Sequence, residues 1–167
     1  MKRRIFLGYG AGVLSLPGTK GGPNERPALG AVGVGGKGWA DSLGASRHGE
    51  IVAFCDVDQL GKDRKGGFVE AAKKWPKATR YTDWREMLEK EKLDGVTVST
   101  PDHMHAPVTM TALKLGISPY TQKPLTRTVH EARALTLAAR EAKVATQMGN
   151  QNHSGVNYKG LVELVHK

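Results

Sequence analysis

From Ala28 onward, short apolar runs alternate with longer segments in which apolar residues recur at helical spacing. Phe68, Ala71, Ala72 and Trp75 show the i, i+3, i+4, i+7 spacing of a helix that buries one face. The short runs between such segments are typical of buried parallel strands, which we predict at 28–34, 50–55, 80–82, 94–99, 117–121 and 144–148. Six strands that alternate with helices predict an α/β fold, a doubly wound parallel sheet in a three-layer αβα arrangement.

Polar pairs and turn residues mark the ends of the predicted helices. Asp83 with Glu86, and Thr128 with Glu131, have the spacing of capping boxes at helix N-termini. Gly116 predicts the end of the helix before the fifth strand. One helix is predicted at 37–46, and another begins at 155. The residues expected to face inward from the helices between them are Trp84, Met87, Leu88, Val108, Ala112, Leu115, Ala132, Leu135 and Ala139.

Pro119 lies inside the predicted fifth strand. Proline has no backbone N–H for the sheet ladder, so it is normally confined to strand edges and bulges. We therefore expect this strand to be shortened, or its pairing to be irregular, at Pro119. Because Lys123 follows the strand directly, such an irregularity would displace Lys123.

The first 27 residues differ from the rest of the chain. The run 2–7, Lys-Arg-Arg-Ile-Phe-Leu, resembles the R-R-x-F-L core of a twin-arginine export signal, and a short, weakly apolar stretch follows it. We assign 1–18 to this signal and 19–27, rich in glycine and proline, to a linker. The expected location is then periplasmic. The alternative is a disordered basic tail on a cytoplasmic protein.

Composition limits the classes of partner. The chain has 167 residues, enough for one domain with a proper core. Its formal net charge is +9, but the positive residues are scattered over predicted helix surfaces and aromatic residues are not interleaved with them. This pattern favours solvated helix faces, so we expect no nucleic-acid partner. No apolar run is long enough to cross a membrane as a helix. The single cysteine, Cys55, allows no internal disulfide and is expected in the core.

A glycine-rich turn connects the first strand to the first helix. The segment Gly33-Val34-Gly35-Gly36-Lys37-Gly38 fits the G-x-G-x-x-G pattern of dinucleotide-binding folds. Gly33 would permit the tight turn, Gly35 the approach of a pyrophosphate, and Gly38 the close packing of helix and strand. The helix N-terminus, with Gly36 and Lys37, would offer N–H groups and partial positive charge to phosphates.

An acidic residue follows at the distance that this pattern requires. Asp56 stands at the end of the second predicted strand, 18 positions after Gly38 (56 − 38). An acid at this place accepts both ribose hydroxyls of NAD and repels the 2′-phosphate of NADP. No arginine follows immediately, so NAD is predicted over NADP. The residues 28–153 are accordingly predicted to form a dinucleotide-binding Rossmann domain.

Three further motifs lie at predicted strand ends, and together with the first two they resemble the Gfo/Idh/MocA family of NAD(P)-dependent oxidoreductases. The matching pieces are GVGGKG, CDVD, STPDHMHAP, QKPLT with VHEAR, and QMGNQNHSG, in segments 33–38, 55–58, 99–107, 122–133 and 147–155. They cover nearly all of the chain from Gly30. The resemblance implies hydride transfer between a nicotinamide cofactor and a sugar, cyclitol or related polyol.

The resemblance also implies roles for single residues. Lys123 matches the lysine of the family's E-K-P motif, which reaches the substrate and the nicotinamide ribose and would be the catalytic residue here. A cation there would stabilise negative charge on the substrate oxygen. Gln122 departs from the commoner glutamate of that motif. The remaining implied cofactor-binding positions are Thr100, Pro101 and His105, near the nicotinamide, and Asn150 and Gln151, which would line the crevice.

His103 and His105 are two positions apart, but no cysteine or carboxylate cluster completes a metal site, so no metal is predicted. Members of the family continue into a second domain that supplies most of the substrate pocket, and we expect 154–167 to be its beginning. The chain alone is then expected to bind cofactor without completing turnover. Leu161, Val162, Leu164 and Val165 would leave an apolar face for association, including with a second copy.

Two alternatives to the oxidoreductase remain open. One is a non-catalytic NAD-binding or partner-interaction module, which would keep the cofactor and lack the chemistry. The other is an NAD-dependent glycosidase, because exported relatives with this domain use tightly held NAD to cleave glycosides.

Overall fold

The fold is an open parallel sheet covered by helices, seen in a computed structural model that describes residues 26–60, 65–151 and 156–166. Within these residues the strands are Ala28–Val32 (β1), Glu50–Cys55 (β2), Thr79–Tyr81 (β3), Gly95–Val98 (β4), Ser118–Gln122 (β5) and Gln147–Gly149 (β6). The helices are Lys37–Ala45 (α1), Phe68–Lys74 (α2), Trp84–Lys90 (α3), Asp102–Lys114 (α4), Val129–Ala142 (α5) and Val156–Val165 (α6). The predicted signal 1–18, the linker up to residue 25 and the boundary at 153–154 lie outside the described residues.

The sheet order is β3-β2-β1-β4-β5-β6, and every neighbouring pair is parallel. The order reverses between β1 and β4, which confirms the predicted doubly wound α/β fold. Parallel strands place all their carboxyl ends at one edge of the sheet, and ligands of such folds bind outside that edge. The segments that follow β1, β2, β4, β5 and β6 therefore meet at one place.

Apolar clusters lie on the two faces of the sheet. One holds Val98, Met87 and Val108 between the sheet and helices α3 and α4. The other holds Phe54 against Phe68, with ring centroids 5.2 Å apart, and includes the aromatic residues of α1 and α2. Two-sided burial explains why β1, β2 and β4 are almost continuously apolar in sequence.

Of the two predicted capping boxes, the one at Thr128 forms and the one at Asp83 does not. Thr128 Oγ1 accepts from the Glu131 N–H and Glu131 Oε2 accepts from the Thr128 N–H, so the box that opens α5 is confirmed. At α3 the box was a wrong expectation. Asp83 Oδ1 accepts from the Arg85 N–H at 2.8 Å, but the Glu86 carboxylate pairs with Lys90 Nζ at 2.6 Å, one turn further along the exposed face.

Leu115 was wrongly placed on the inner face of α4. Val108 and Ala112 are fully buried, whereas Leu115 is 48% exposed. Leu115 is the C-cap, and the chain turns away at Gly116 with a φ of 70°. Its side chain therefore extends beyond the last packed turn, and Leu113, which is 3% exposed, fills the core there instead.

Pro119 does not disturb β5. It pairs with Val96 in a register that runs without a shift from Ser118 to Thr121. The Ser118 N–H donates to the Asp94 carbonyl beside β4, so the nitrogen of Pro119 faces the β6 side, because successive residues address opposite neighbours. Pairing with β6 begins only at Tyr120, so no ladder bond is lost. The expected irregularity, and the displacement of Lys123, were wrong.

Helix α6 presents its apolar residues to solvent. Leu161, Leu164 and Val165 are 58%, 71% and 74% exposed, and every side chain described from 158 to 166 is exposed. This agrees with the apolar face expected from the sequence. Among the described residues, no helix is long and apolar enough to span a membrane.

Candidate dinucleotide site

The glycine turn after β1 is shaped by close backbone contacts. Gly33 has a φ of +80° and its N–H donates to the Cys55 carbonyl at 2.8 Å. A Cβ on Gly33 would lie 2.6 Å from the Ser99 carbonyl oxygen, and a Cβ on Gly38 would lie 2.0 Å from the Gly33 carbonyl oxygen. Only glycine fits at either position, so the turn and the start of α1 are drawn tightly against the ends of β2 and β4. In dinucleotide-binding folds, glycines at these two positions permit the tight turn and the close packing of helix on strand.

A second glycine segment, outside the G-x-G-x-x-G motif, braces this turn. Gly67 donates to the Val34 carbonyl at 3.0 Å, and the Gly36 N–H donates to the Lys65 carbonyl at 2.9 Å. Gly66 has a φ of +84°, and a Cβ there would lie 2.4 Å from the Trp39 side chain. The Gly36 N–H, which the sequence predicted to bind phosphate, is therefore already paired within the chain. The adjacent pair Gly66-Gly67 was the available signal in the sequence.

The Asp56 carboxylate lies directly against the glycine turn. Its Oδ2 accepts from the Val34 N–H at 2.9 Å, and its Oδ1 accepts from the Asp58 N–H at 3.0 Å. These bonds fix the plane of the carboxylate at the end of β2. Each carboxylate oxygen can accept a second hydrogen bond, so the group still has capacity for ligand hydroxyls.

Cys55, next to this acid, belongs to the core. It is 2% exposed and packs in the cluster below β1 and β4. Burial raises the pKa of the Cys55 thiol from 9.0 to about 12, and the carboxylates of Asp56 and Asp83 act in the same direction. The thiol is therefore neutral and inert at physiological pH, as the sequence predicted.

His105 joins two strand-end loops. Its ring is 1% exposed, with Nδ1 2.6 Å from the Pro124 carbonyl oxygen and Nε2 2.8 Å from the Thr100 carbonyl oxygen. A ring enclosed in this way holds the loop after β4 to the loop after β5. Its contribution to the site comes through those loops. Pro101, the N-cap of α4, is exposed, as are its neighbours Asp102 and His103. Thr100 Oγ1 is buried and has no hydrogen-bond partner among the described residues.

Lys123 follows β5 at the same sheet edge, and its side chain is exposed. Its backbone N–H donates to Gln122 Oε1 at 3.0 Å, and the peptide bond to Pro124 is cis. The carbonyl of Pro124 is the one that contacts His105, so the turn that carries the lysine is held from both sides.

A buried carboxylate from α1, missed in the sequence, connects these loops to the glycine turn. The side chain of Asp41 is 5% exposed, and its Oδ1 lies 2.8 Å from Lys37 Nζ. Its Oδ2 accepts from Ser99 Oγ at 2.8 Å and from Gln122 Nε2 at 3.0 Å. No sequence motif identifies Asp41, because its partners lie far along the chain: Ser99 follows β4, and Gln122 ends β5.

The segment after β6 completes the edge. Asn150 and Gln151 are exposed, and the Asn150 N–H donates to the Met148 carbonyl at 2.8 Å. When the amide nitrogen of Gln151 faces Gly149 and its oxygen faces Lys37, the nitrogen donates to the Gly149 carbonyl and the oxygen accepts from Lys37 Nζ at 3.2 Å. The structure thus brings the predicted positions of all five strand ends together. His153, in the same motif as Asn150 and Gln151, lies outside the described residues, and among those described no three metal-ligating side chains converge.

Comparison with known proteins identifies the domain. Residues 29–150 match the family model GFO_IDH_MocA, described as an oxidoreductase family with an NAD-binding Rossmann fold. An α-N-acetylgalactosaminidase from Shewanella oneidensis is 30% identical over 136 residues, covering 77% of this chain and 29% of that protein. A glycosyl hydrolase family 109 protein from Stenotrophomonas maltophilia is 31% identical, covering 71% and 28% respectively. This chain therefore spans under a third of the length of these curated relatives.

Solved structures share the fold. A myo-inositol 2-dehydrogenase from Lactobacillus plantarum superposes with a TM-score of 0.75 at 18% identity, covering 85% of this chain and 41% of that one. The WlbA dehydrogenase from Bordetella pertussis, solved with NADH and UDP-GlcNAcA, gives 0.72 at 18% identity, with 85% and 42% covered. An NAD binding oxidoreductase from Klebsiella pneumoniae gives 0.66 at 28% identity, with 78% and 36% covered. The chain belongs to the Gfo/Idh/MocA oxidoreductase family and carries its NAD-binding Rossmann domain.

Proposed function

We propose that this chain binds NAD, in preference to NADP, for an enzyme that transfers hydride between the cofactor and a sugar, cyclitol or related polyol. The observation that carries the proposal is the contact of Asp56 with the glycine turn at Val34. It puts a carboxylate, the acceptor for ribose hydroxyls, beside the cradle that a pyrophosphate would occupy. A 2′-phosphate in the same place would meet that negative charge.

The nicotinamide ring, when bound, supplies the hydride acceptor, and the chain's own residues orient it and the substrate. Lys123 stands at the end of β5 as an exposed cation on a turn held by Gln122 and His105. Such a cation stabilises negative charge on a substrate oxygen and orients the substrate towards the cofactor. The partner expected at this edge is therefore a small hydroxylated molecule. Contacts that complete the substrate pocket are expected from a second domain, which the resemblance to the Gfo/Idh/MocA family implies.

Titration of the chain with NADH, followed by nicotinamide fluorescence, tests this proposal. We expect saturable binding that NAD displaces and NADP displaces far less well. Lys123→Met should weaken the binding, whereas Lys114→Met, the same change at the far end of α4, should leave it unaltered. Lack of saturable binding by the wild-type chain would contradict the proposal. A chain that binds NADH with no effect of Lys123→Met would point to the non-catalytic module instead.

An NAD-dependent glycosidase is the second candidate. The observation in its favour is the set of curated relatives, in which an α-N-acetylgalactosaminidase is 30% identical over 136 residues. A glycosidase of this kind would regenerate its cofactor within each turnover, so NAD need not leave. Stoichiometric NAD released on denaturing the purified, dialysed chain would favour the glycosidase. A cofactor lost on dialysis would favour the dehydrogenase, which must exchange it.

A further inference from the structure

Asp41 is the most enclosed carboxylate at the site. Its side chain, 5% exposed, contacts groups from three elements: Lys37 on α1, Ser99 after β4 and Gln122 at the end of β5. A buried carboxylate is tolerated only when its charge is balanced and its lone pairs are occupied. The Lys37 ammonium, 2.8 Å away, supplies the opposite charge, and the Ser99 hydroxyl and the Gln122 amide supply the hydrogen bonds.

These bonds dictate how the Gln122 amide is oriented. The side chain is 4% exposed and lies against Gly149, where a Cβ would come within 2.7 Å of Gln122 Nε2. Its nitrogen donates to Asp41, so its oxygen must point the other way, where it accepts from the Lys123 N–H at 3.0 Å. Asp41 thus acts through Gln122 on the backbone position of Lys123.

The charge of Asp41 extends to other groups on β5. The pKa of the Tyr120 hydroxyl is raised, first by burial and then by the Asp41 carboxylate, while the Lys37 ammonium acts in the opposite direction. A glutamate at position 122 would place a second carboxylate about 3 Å from Asp41, and two carboxylates so close cannot both stay ionised. With a glutamate at 122, one of the two carboxyl groups would have to bind a proton at neutral pH, and this would cost stability.

We propose that Asp41 is a positioning residue for Lys123 and that it acts through the Gln122 amide. Gln122, which stands where the E-K-P motif has glutamate, offers Asp41 an amide donor where a glutamate would offer a second carboxylate. The positioning role rests on the proposed function of Lys123 at the cofactor, whereas the Asp41–Gln122 pairing does not.

Thermal unfolding at neutral pH tests the pairing with four chains: wild type, Asp41→Asn, Gln122→Glu and the double variant. Gln122→Glu should lower the melting temperature by roughly 5 °C or more, because it sets two buried carboxylates together. Adding Asp41→Asn should recover most of that loss, since the asparagine amide can donate to the new glutamate. Gln147→Glu, the same change at an exposed site on β6, is the control and should change little. Wild-type stability in Gln122→Glu, or no recovery in the double variant, would overturn the pairing.

NADH affinity tests the positioning role. Gln122→Glu should weaken NADH binding, and the double variant should restore it. In a Lys123→Met background the same Gln122→Glu change should have little further effect, because its consequence passes through the lysine. An equal loss in both backgrounds would mean a general structural role and would overturn the positioning. If the wild-type chain binds no NADH, the proposed function and the positioning fail together, while the melting series still decides the pairing.

Discussion

The Asp56 carboxylate accepts a hydrogen bond from the backbone N–H of Val34, at 2.9 Å, across the gap between the ends of β2 and β1. The acid and the glycine turn are thereby one unit rather than two separate ligand contacts. Gly33 closes the same unit from the other side by donating to the Cys55 carbonyl. We therefore expect a change to the acid to alter the shape of the turn as well as the proposed ribose contact.

Asp56→Ala should lower the affinity for NAD by roughly 10- to 100-fold, since charge-assisted hydrogen bonds contribute about 1.5–3 kcal/mol each. It should also reduce the discrimination against NADP, because the repelling charge is gone. Calorimetric titration with both cofactors measures the two effects. Glu89→Gln, which removes an exposed carboxylate on α3, is the control and should alter neither. Equal affinity of the wild type for NAD and NADP would refute the assigned role of Asp56.

Gly33→Ala should reduce the free energy of unfolding by about 1–3 kcal/mol. The backbone there has a φ of +80°, and the added methyl would lie 2.6 Å from the Ser99 carbonyl oxygen. Gly44→Ala is the matched control: it lies within α1, has open space around its Cβ and should stabilise the chain by about 0.5–1 kcal/mol. Urea unfolding distinguishes the two. Similar stabilities for both variants would be inconsistent with the tight turn.

His105→Phe should reduce the free energy of unfolding by about 1–3 kcal/mol, because a carbonyl that faces the ring, at Thr100 or Pro124, loses the ring N–H that donates to it. The same change at His103, which is exposed on the same helix, should cost no more than about 0.5 kcal/mol. Chemical denaturation of both variants provides the measurement. If His105→Phe were as stable as His103→Phe, the ring would not be holding the two loops.

The stability of the chain should depend on the ionisation of Cys55 only in alkali. Below pH 9.0 the thiol is neutral in the folded and unfolded states, so its contribution is constant. Between pH 9.0 and about 12 the unfolded thiol ionises first, so the contribution falls as the pH rises. The free energy of unfolding of the wild type should therefore decline relative to Cys55→Ala across this window. A difference that rises, or stays constant, would contradict the burial of the thiol.

Residues 1–18 should direct export of a folded reporter protein through the twin-arginine pathway. Replacing both Arg3 and Arg4 by lysine should abolish that export, because the pathway recognises the arginine pair. Lys2→Gln, which removes a neighbouring charge, should leave export largely intact. Fractionation of periplasm and cytoplasm gives the measurement. A reporter retained in the cytoplasm in all three cases would make the alternative, a basic tail, the correct interpretation.

Local pattern was sufficient for most of the fold. The run Glu50–Cys55 was predicted with both of its ends, and the capping box at Thr128 and Glu131 formed as its spacing required. Burial on both faces of a parallel sheet leaves a continuous apolar run, and a cap involves residues three apart, so both are visible in a short window. The last strand was placed about three residues early. Val144, counted within it, packs instead beside α5.

The sequence by itself determined the fold class, and it located the glycine turn, the acid after β2 and the lysine after β5, because each lies in a motif of neighbouring residues. Only the tertiary structure decided what holds them. Asp41 forms hydrogen bonds with Ser99 and Gln122, which are 58 and 81 residues away in sequence. The His105 ring contacts the Pro124 carbonyl, 19 residues away. Pro119 does not disrupt the sheet, because its nitrogen faces the β6 side and the pairing of β5 with β6 starts only at Tyr120. Such contacts depend on which strands become neighbours, and folding alone brings those distant residues within hydrogen-bonding distance.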